Sequence, residues 1–322
     1  MRRLILTTMI LVMFSSSVQA LALEVGGELI VNFDGQIKEG LELELFLPPL
    51  GNSEVRYAFT LDRPLQDLLA GEDVTYFAKK LYIKHRFPGL HLTLGRQPVS
   101  WSFGSLLNPV DYTLGAETLD QENASKYTDA LEAFIPLNWN SSLTLVSSFP
   151  AGFTTDLDQM KWGARARIGV KGYDLTVNYV QEEKRTLIPR QRLGLTFKGD
   201  VGDFGVYGAV GHQFATGIDS INSYLLGADY SYNLNYDTKI HMQLEYLVSE
   251  LGDQELIVGG IGYPIDDFSE VSMITTVSLA NGSTVLIPRY QITLARGVDL
   301  AIGGSFTANK NPEGFLRLSY PF

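Results

Sequence analysis

Apolar and polar residues alternate along the chain from about residue 23 to its end. In the clearest segment every second residue from Ile240 to Val248 is apolar, while charged or polar residues stand between them. The same alternation recurs over 162–170, 173–179, 192–197 and 298–306. A period of two is typical of a β-strand with one apolar and one wet face. Because no twelve-residue stretch of this part has a helical period, the pattern predicts an all-β fold.

Turn residues divide the alternating region into eighteen predicted strands. They lie at 23–33, 37–47, 53–61, 74–86, 90–97, 127–137, 141–149, 160–171, 173–181, 187–198, 203–212, 222–233, 236–249, 254–263, 268–280, 284–295, 298–307 and 313–322. Most connections alternate between short and long, and 62–73, 98–126, 150–159, 213–221 and 308–312 belong to the long set. Losing one hairpin, within 23–47 or 264–295, would leave sixteen strands, and this alternative stays open.

Strand length and charge placement separate a membrane barrel from a soluble sandwich. The segments are about ten residues long, which suits a tilted membrane-spanning strand better than the five or six residues usual in soluble sheets. Arg, Lys and Glu occur in mid-strand on the polar face, and aromatic residues such as Tyr173, Tyr232 and Phe322 lie near strand ends. These features predict a transmembrane antiparallel β-barrel. A barrel of about eight strands is just wide enough to hold its own inward side chains, so sixteen or eighteen strands would leave a water-filled lumen.

Residues 1–22 have the pattern of an export signal. Arg2 and Arg3 precede an apolar stretch from Leu4 to Phe14, which is too short to span about 30 Å of hydrocarbon. Small residues then offer cleavage after Ala22, with Ala20 as the alternative. The remainder, 23–322, is predicted to be one barrel domain.

Composition removes several other classes of protein. Apolar residues make up 45% of the chain and charged residues 19%, a balance that argues against disorder and against a coiled coil. Cysteine is absent, so the chain has no disulfide framework and no thiolate metal site. The net charge of −11 argues against a nucleic-acid partner.

The longest predicted connection is 98–126. It is the third of the connections that are expected to lie on the external side of the membrane. Long loops without regular structure are usually functional. This one combines apolar, amide and acidic side chains, and the candidates for a constriction are Trp101, Phe103, Asn108, Asp111, Glu117 and Asp120. Its aromatic residues need burial, and folding into the lumen would provide it. A lid across the mouth and a subunit contact are the alternatives.

Two short motifs resemble those of bacterial outer-membrane porin-like proteins. Gly95 to Trp101 (GRQPVSW) is followed by Asn108 to Asp111 (NPVD), and this order is similar to a strand that leads into an infolded loop. The end of the chain, with Tyr320 and Phe322, resembles the signal by which barrels are recognised for insertion, although Pro321 departs from it. The resemblance implies a channel in the cell outer membrane. It also implies outer-membrane lipid, the barrel-assembly machinery, small hydrophilic solutes and a homotrimeric assembly as partners.

Charged residues on the predicted lumen face are the candidates for selectivity. They are Arg96, Arg165, Arg167, Arg190, Arg192, Arg289, Glu42, Glu44 and Glu132. Arginine suits this role because its planar fork binds carboxylate or phosphate at two points and keeps its charge. Pairs two residues apart share one face, so a basic ladder opposite the acidic loop is expected to bias ion passage. The alternative is that these charges only pair with their neighbours.

Catalysis is not expected, and neither is a cofactor or metal. Of the four histidines, His85 and His91 flank one turn but belong to opposite faces, and no Ser–His–acid grouping stands out. The predicted function is therefore that of an outer-membrane porin for passive diffusion of small hydrophilic solutes or ions, with anion preference as a further expectation. A structural or adhesive barrel without an open pore is the alternative.

Overall fold

Eighteen antiparallel strands close into one barrel. The computed structural model describes residues 24–99, 127–149, 160–182, 191–215, 218–234, 238–250, 253–308 and 310–322. Each strand pairs with the next along the chain, and the first strand also pairs with the last. The prediction of an antiparallel barrel with eighteen strands, rather than sixteen, is confirmed.

The strands are nine to sixteen residues long. They are β1 Glu24–Phe33, β2 Ile37–Phe46, β3 Ser53–Asp62, β4 Thr75–Phe87, β5 Leu90–Pro98, β6 Tyr127–Asn138, β7 Ser141–Phe149, β8 Lys161–Val170, β9 Tyr173–Glu182, β10 Gln191–Val201, β11 Phe204–Ala215, β12 Ile218–Asn233, β13 Lys239–Ser249, β14 Gln254–Asp266, β15 Ser269–Ser278, β16 Thr284–Thr293, β17 Asp299–Thr307 and β18 Glu313–Pro321.

The two faces of the wall follow the alternation in the sequence. On β10, Leu193, Leu195 and Phe197 are exposed on the outside, whereas Arg192, Gly194 and Thr196, which alternate with them, are buried. Exposed leucine, isoleucine, valine and aromatic side chains recur on the outer face all around the barrel. Such a surface suits lipid, because it would be unfavourable in water over so large an area.

The barrel has a turn end and a loop end. The turn end carries the start of β1, the end of β18 and tight hairpins such as the one at Lys171 and Gly172, where both residues have positive φ (50° and 85°). This conformation is that of a type I′ turn, whose twist matches the flanking strands. The loop end carries the longer connections, including the one that separates β5 from β6.

The seam between β1 and β18 closes past Pro321. The amide of Gly27 donates to the Phe322 carbonyl and the Phe322 amide donates to the Gly27 carbonyl, both at 3.0 Å. Hydrogen-bonded and non-hydrogen-bonded pairs alternate in an antiparallel ladder, so the adjacent pair of Glu28 and Pro321 needs no amide hydrogen from the proline. Pairing of β17 with β18 already ends at Ser319. Proline therefore stands where the barrel uses no donor.

Two features differ from the sequence prediction. A short helix, α1 (Pro64–Ala70), lies between β3 and β4. The predicted loop at 213–221 is largely absent, because β11 and β12 extend until only residues 216 and 217 separate them. Their pairing continues to Ala215 and Ile218 after a register shift, so the backbone groups of most of this region are satisfied within the ladder.

In the described part of the chain, no helix combines the length and the apolar character that crossing a bilayer would require.

Candidate functional site

The inner wall of the barrel is the candidate functional site, and its burial is uneven. On β5–β14 many inward side chains are buried, mainly toward the loop end. This set is Thr93, Gln97, Thr128, Ala130, Val146, Ser148, Lys161, Thr176, Asn178, Val180, Glu182, Arg192, Thr196, Tyr207, Ala209, Ser223, Leu225, Glu245, Leu247, Ser249 and Val258. On β15–β18 and β1–β4 most described inward side chains stay partly exposed, with Ala58, Lys79, Ala301 and Ser319 as the buried ones.

An apolar cluster lies on the buried half of the inner wall. It consists of Val99, Ala130, Val146, Val180, Tyr207, Ala209, Leu225 and Leu247. Val99, which directly follows β5, is only 2% exposed. The chain therefore points into the barrel where it leaves β5.

The described members of the predicted ladder, Arg165, Arg167 and Arg192, lie on the inner face, but two of them are paired. The Arg167 guanidinium donates to both carboxylate oxygens of Asp174, at 3.3 and 2.7 Å. Arg192 binds Glu182 in a buried ion pair, and the Lys161 ammonium lies 3.6 Å from the same carboxylate. These two arginines are therefore largely neutralised by their neighbours.

Arg165 differs from the other described members of the ladder. It lies between Thr144 and Asn178 in the strand register, next to Arg167 on the same face. No ion pair or hydrogen bond holds its guanidinium among the described residues. The buried Asn178 side chain also leaves its Oδ1 without a hydrogen-bond partner. Arg165 is therefore an uncompensated positive charge on the inner wall.

On the partly exposed half, acidic β2 faces basic β4 across β3. Glu42 binds the Lys79 ammonium at 2.5 Å, and Glu44 binds that of Lys80 at 3.1 Å. Lys79 and Lys80 both reach the inside because a register shift places them together opposite Ala58. The predicted residues Glu42 and Glu44 thus lie on the inner wall within ion pairs.

Two further predicted residues occupy separate places on the wall. Glu132 lies opposite Thr93 and Val146 on the inner face. Arg289 donates to the Gln291 side chain at 2.9 Å on β16. Glu132 on β6 is two strands from β8, whereas Arg289 on β16 is eight strands away.

Arg96 is predicted to face the lumen, but the structure contradicts this, because Arg96 shares the outward phase of Leu94 while its neighbour Gln97 points inward. The pairing of β4 with β5 ends at Leu81 and Arg96. Beyond that point the Arg96 Nε donates to the Ala78 carbonyl at 2.6 Å, and the guanidinium lies 4.9 Å from the centre of the Phe77 ring. Its Nη1 is 3.9 Å from Asp129. These contacts tie Arg96 to the wall where two strands separate.

On β11 and β13, the contacts of Tyr207 and Gln243 with the inward Glu245 were not predicted from the sequence. The Tyr207 hydroxyl donates to Glu245 at 2.7 Å and accepts a hydrogen bond of the same length from Gln243. Glu245 is completely buried. The tyrosine ring crosses Gly227 on the intervening strand, where a Cβ would come within 2.2 Å of the ring. The signal was a glycine paired with Tyr207 on one side and with Glu245 on the other, and this becomes visible only once the register is known.

The predicted insertion signal lies at the seam. The Phe322 ring packs on Gly27, since a Cβ there would approach the ring within 2.6 Å, and the Tyr320 and Phe322 rings lie 6.5 Å apart. Both side chains are exposed on the outer face near the turn end.

Several predicted residues lie outside the described ranges. They are Arg190, the loop residues Trp101, Phe103, Asn108, Asp111, Glu117 and Asp120, and the export signal at 1–22. Their predicted roles stay predictions.

Comparison with solved structures gives the same architecture over nearly the whole chain. Wzi, an outer-membrane protein involved in group 1 capsule assembly in Escherichia coli and described as a carbohydrate-binding β-barrel, matches with TM-score 0.62 at 12% identity, covering 99% of this chain and 88% of Wzi. OccK2 (OpdF) of Pseudomonas aeruginosa, solved in complex with glucuronate, matches with TM-score 0.60 at 10% identity, covering 94% and 98%. A mutant Rh. blastica porin matches with TM-score 0.54 at 14% identity, covering 94% and 100%.

The chain has the fold of porin-like outer-membrane barrels. No family model and no curated protein matches its sequence. The likeness is therefore one of architecture, and the transmembrane barrel follows from it together with the apolar outer face.

Proposed function

We propose that this protein is an outer-membrane porin whose lumen admits small hydrophilic solutes or ions by passive diffusion. The observation that carries the proposal is the partly exposed, charged inner face of β15–β18 and β1–β4 inside a closed barrel with an apolar outer face. A row of charged side chains facing the lumen favours water and solutes over a dry core. Porins among the structural neighbours support the same function.

The proposed path runs along this charged half of the lumen. Glu28 approaches Arg317 at 3.9 Å, and Glu54 binds both Arg56 and Arg86 at 2.6 and 2.7 Å. Balanced charges of this kind keep a passage hydrated without trapping an ion of one sign. We expect weakly selective passage rather than tight binding.

The proposed anion preference depends on inner-wall cations without a fixed counter-ion, which among the predicted residues that the structure describes are Arg165 on β8 and Arg289 on β16, within the charged half. A charge already paired with a fixed carboxylate contributes little net field, which applies to Arg167 and Arg192. Arg165 has neutral cross-strand neighbours and no counter-ion among the described residues. A passing anion would supply the missing partner.

The connection 98–126 is proposed to narrow the lumen. The aromatic side chains of Trp101 and Phe103 in this connection require burial, which the lumen would provide. Support from the described residues comes from the buried side chain of Val99, which belongs to the inner apolar cluster. Because the connection starts on the inner side of the wall, it can enter the lumen directly.

Export by residues 1–22, insertion through Tyr320 and Phe322, and a location in the cell outer membrane belong to the same proposal. The porin-like fold and the apolar outer face support the location. The homotrimer and the contact with the assembly machinery rest on the sequence resemblance alone.

A structural or adhesive barrel without an open pore is the second candidate. The buried apolar cluster on β5–β13 favours it, because a wide aqueous lumen would leave such side chains wet. Wzi, described as a carbohydrate-binding barrel, is a neighbour of comparable architecture. In a barrel without an open pore, side chains and loops would fill the whole cross-section of the lumen and not only one side of it.

Solute flux into vesicles separates the two candidates. Purified barrel is reconstituted into liposomes, and swelling is followed in isotonic solutions of a series of neutral sugars from pentose to trisaccharide. The proposal predicts swelling that slows as the sugar becomes larger. Vesicles with heat-unfolded protein are the control. Folded barrel that causes no swelling with any sugar would favour the closed alternative.

A further inference from the structure

The short helix α1 presents three leucines that no other part of the described chain covers. Leu65, Leu68 and Leu69 stand at i, i+3 and i+4, so they share one helical face. They are 56%, 56% and 89% exposed. The opposite side is packed, since Pro64 and Asp67 are buried. The helix is therefore amphipathic, and its apolar face has no partner within the chain.

The helix is fastened to the outside of the barrel wall. The Gln66 amide donates to the Glu39 carboxylate at 2.6 Å, and the Gln66 side chain donates to the Ile37 carbonyl at 3.2 Å. Glu39 and Ile37 alternate on β2 with the inward residues Lys38 and Gly40, so their side chains lie on the outer face. The first turn of the helix consequently lies on the outer side of the wall, away from the lumen.

The leucine face continues the apolar surface of the barrel. Ile37 and Tyr76, on the strands beside the helix, are 60% and 62% exposed on the outer face. Val74, which leads from the helix into β4, packs against the outer cluster of Leu43, Phe59 and Leu61. The apolar outer surface thus extends past the strand ends at this point, and the lipid-facing band reaches onto the helix.

We propose that α1 is an interfacial anchor whose leucine face inserts among the acyl chains of the leaflet at the loop end of the barrel. Amphipathic helices of this kind bury their apolar side roughly 5–10 Å below the headgroup boundary. The proposal requires the barrel to lie in a membrane, but it does not require an open channel.

Lipid fits the leucine face better than a second protein does. A stable protein interface needs about 800 Å² from each partner, more than three leucine side chains provide. The face is also continuous with a surface that already requires lipid. A second copy of the chain is the competing occupant, and the experiment distinguishes it.

The chain contains no cysteine, so a single introduced cysteine is the only thiol that a label can modify. Leu69→Cys carries an environment-sensitive NBD group, and the folded barrel is placed in phosphatidylcholine vesicles with doxyl groups at shallow or deep positions. We expect blue-shifted emission and stronger quenching by the shallow doxyl lipid. Ala280→Cys, exposed in another connection at the same end, is the aqueous control, and Leu244→Cys, on the outer face in mid-strand, is the deep control.

Two outcomes would overturn the proposal. Emission from position 69 that matches position 280, without doxyl quenching, would show that the face lies in water. Self-quenching between labelled copies, again without doxyl quenching, would identify a second copy as the occupant. Heat-modifiable gel mobility verifies that each variant is folded, and Leu65→Cys repeats the measurement if Leu69→Cys is not.

Discussion

Charge compensation at single residues decides how the inner wall acts on ions. Most charged side chains described on it have a partner of opposite sign, as Lys79 has with Glu42 and Arg167 with Asp174. Arg165 has none among the described residues, although half-buried charges are normally paired. A cation without a fixed partner is stable only where water or a passing anion solvates it. The charge of Arg165 therefore indicates that this part of the lumen is hydrated.

Neutralising Arg165 should shift ion selectivity. In Arg165→Gln, the reversal potential in a KCl gradient should move toward cation preference, because one uncompensated positive charge is lost. The shift should be larger in dilute salt, where the screening length is about 30 Å at 0.01 M against about 3 Å at 1 M. The double variant Arg167→Gln/Asp174→Asn removes a neutral pair and is the matched control. Equal shifts in both variants would contradict the assignment.

The buried hydroxyl of Tyr207 should contribute to stability. Tyr207→Phe removes the donor to Glu245 and the acceptor for Gln243. A hydrogen bond to a charged group contributes about 1.5–3 kcal/mol, and urea unfolding from lipid vesicles should show a loss of this size. Tyr224→Phe is the control, since this ring lies on the outer face of β12 with 49% exposure. Equal unfolding midpoints for the two variants would argue against the role.

At the scale of strands, the period of two was sufficient to predict eighteen strands and most of their bounds. Alternation is strong because one face meets lipid and the other meets the lumen, so each strand carries its own signal. The helix α1 was missed because seven residues are too few for a helical period. Pro64 at its start and Gly71 at its end, with positive φ, were the available local signals.

The last strand should depend on its terminal ring. Deleting Phe322 removes two backbone hydrogen bonds to Gly27 and the ring that covers this glycine. We expect exported protein that fails to become heat-modifiable barrel in the outer membrane. Phe322→Tyr keeps both the backbone and the ring, and should assemble normally. Normal amounts of folded barrel after the deletion would refute the closing role.

The connection between β5 and β6 should set the width of the passage. Replacing residues 100–122 by a short Gly-Ser bridge is expected to raise single-channel conductance, because lumen cross-section would be freed. Replacing α1 by a similar bridge is the control, since this helix lies on the outside of the wall. Unchanged conductance after the first replacement would place the connection outside the lumen.

At the scale of the whole molecule, the sequence could not predict that the inner wall has a buried half and a partly exposed half. The alternating pattern tells which side chains face inward, but burial depends on what lies against them across the barrel. Glu245 and Glu42 both lie on the inward face of their strands, yet Glu245 is completely buried and Glu42 is partly exposed. Ion-pair partners were likewise invisible until the register was known.

Single-channel recording in a planar lipid bilayer tests the central claim most directly. Purified barrel, verified as folded by its heat-modifiable mobility, is added to one side in KCl. An open passage along the charged half of the lumen predicts discrete conductance steps whose size rises with salt concentration. Folded barrel that inserts but yields no steps at any voltage would contradict the porin function and leave a closed structural barrel as the account of this fold.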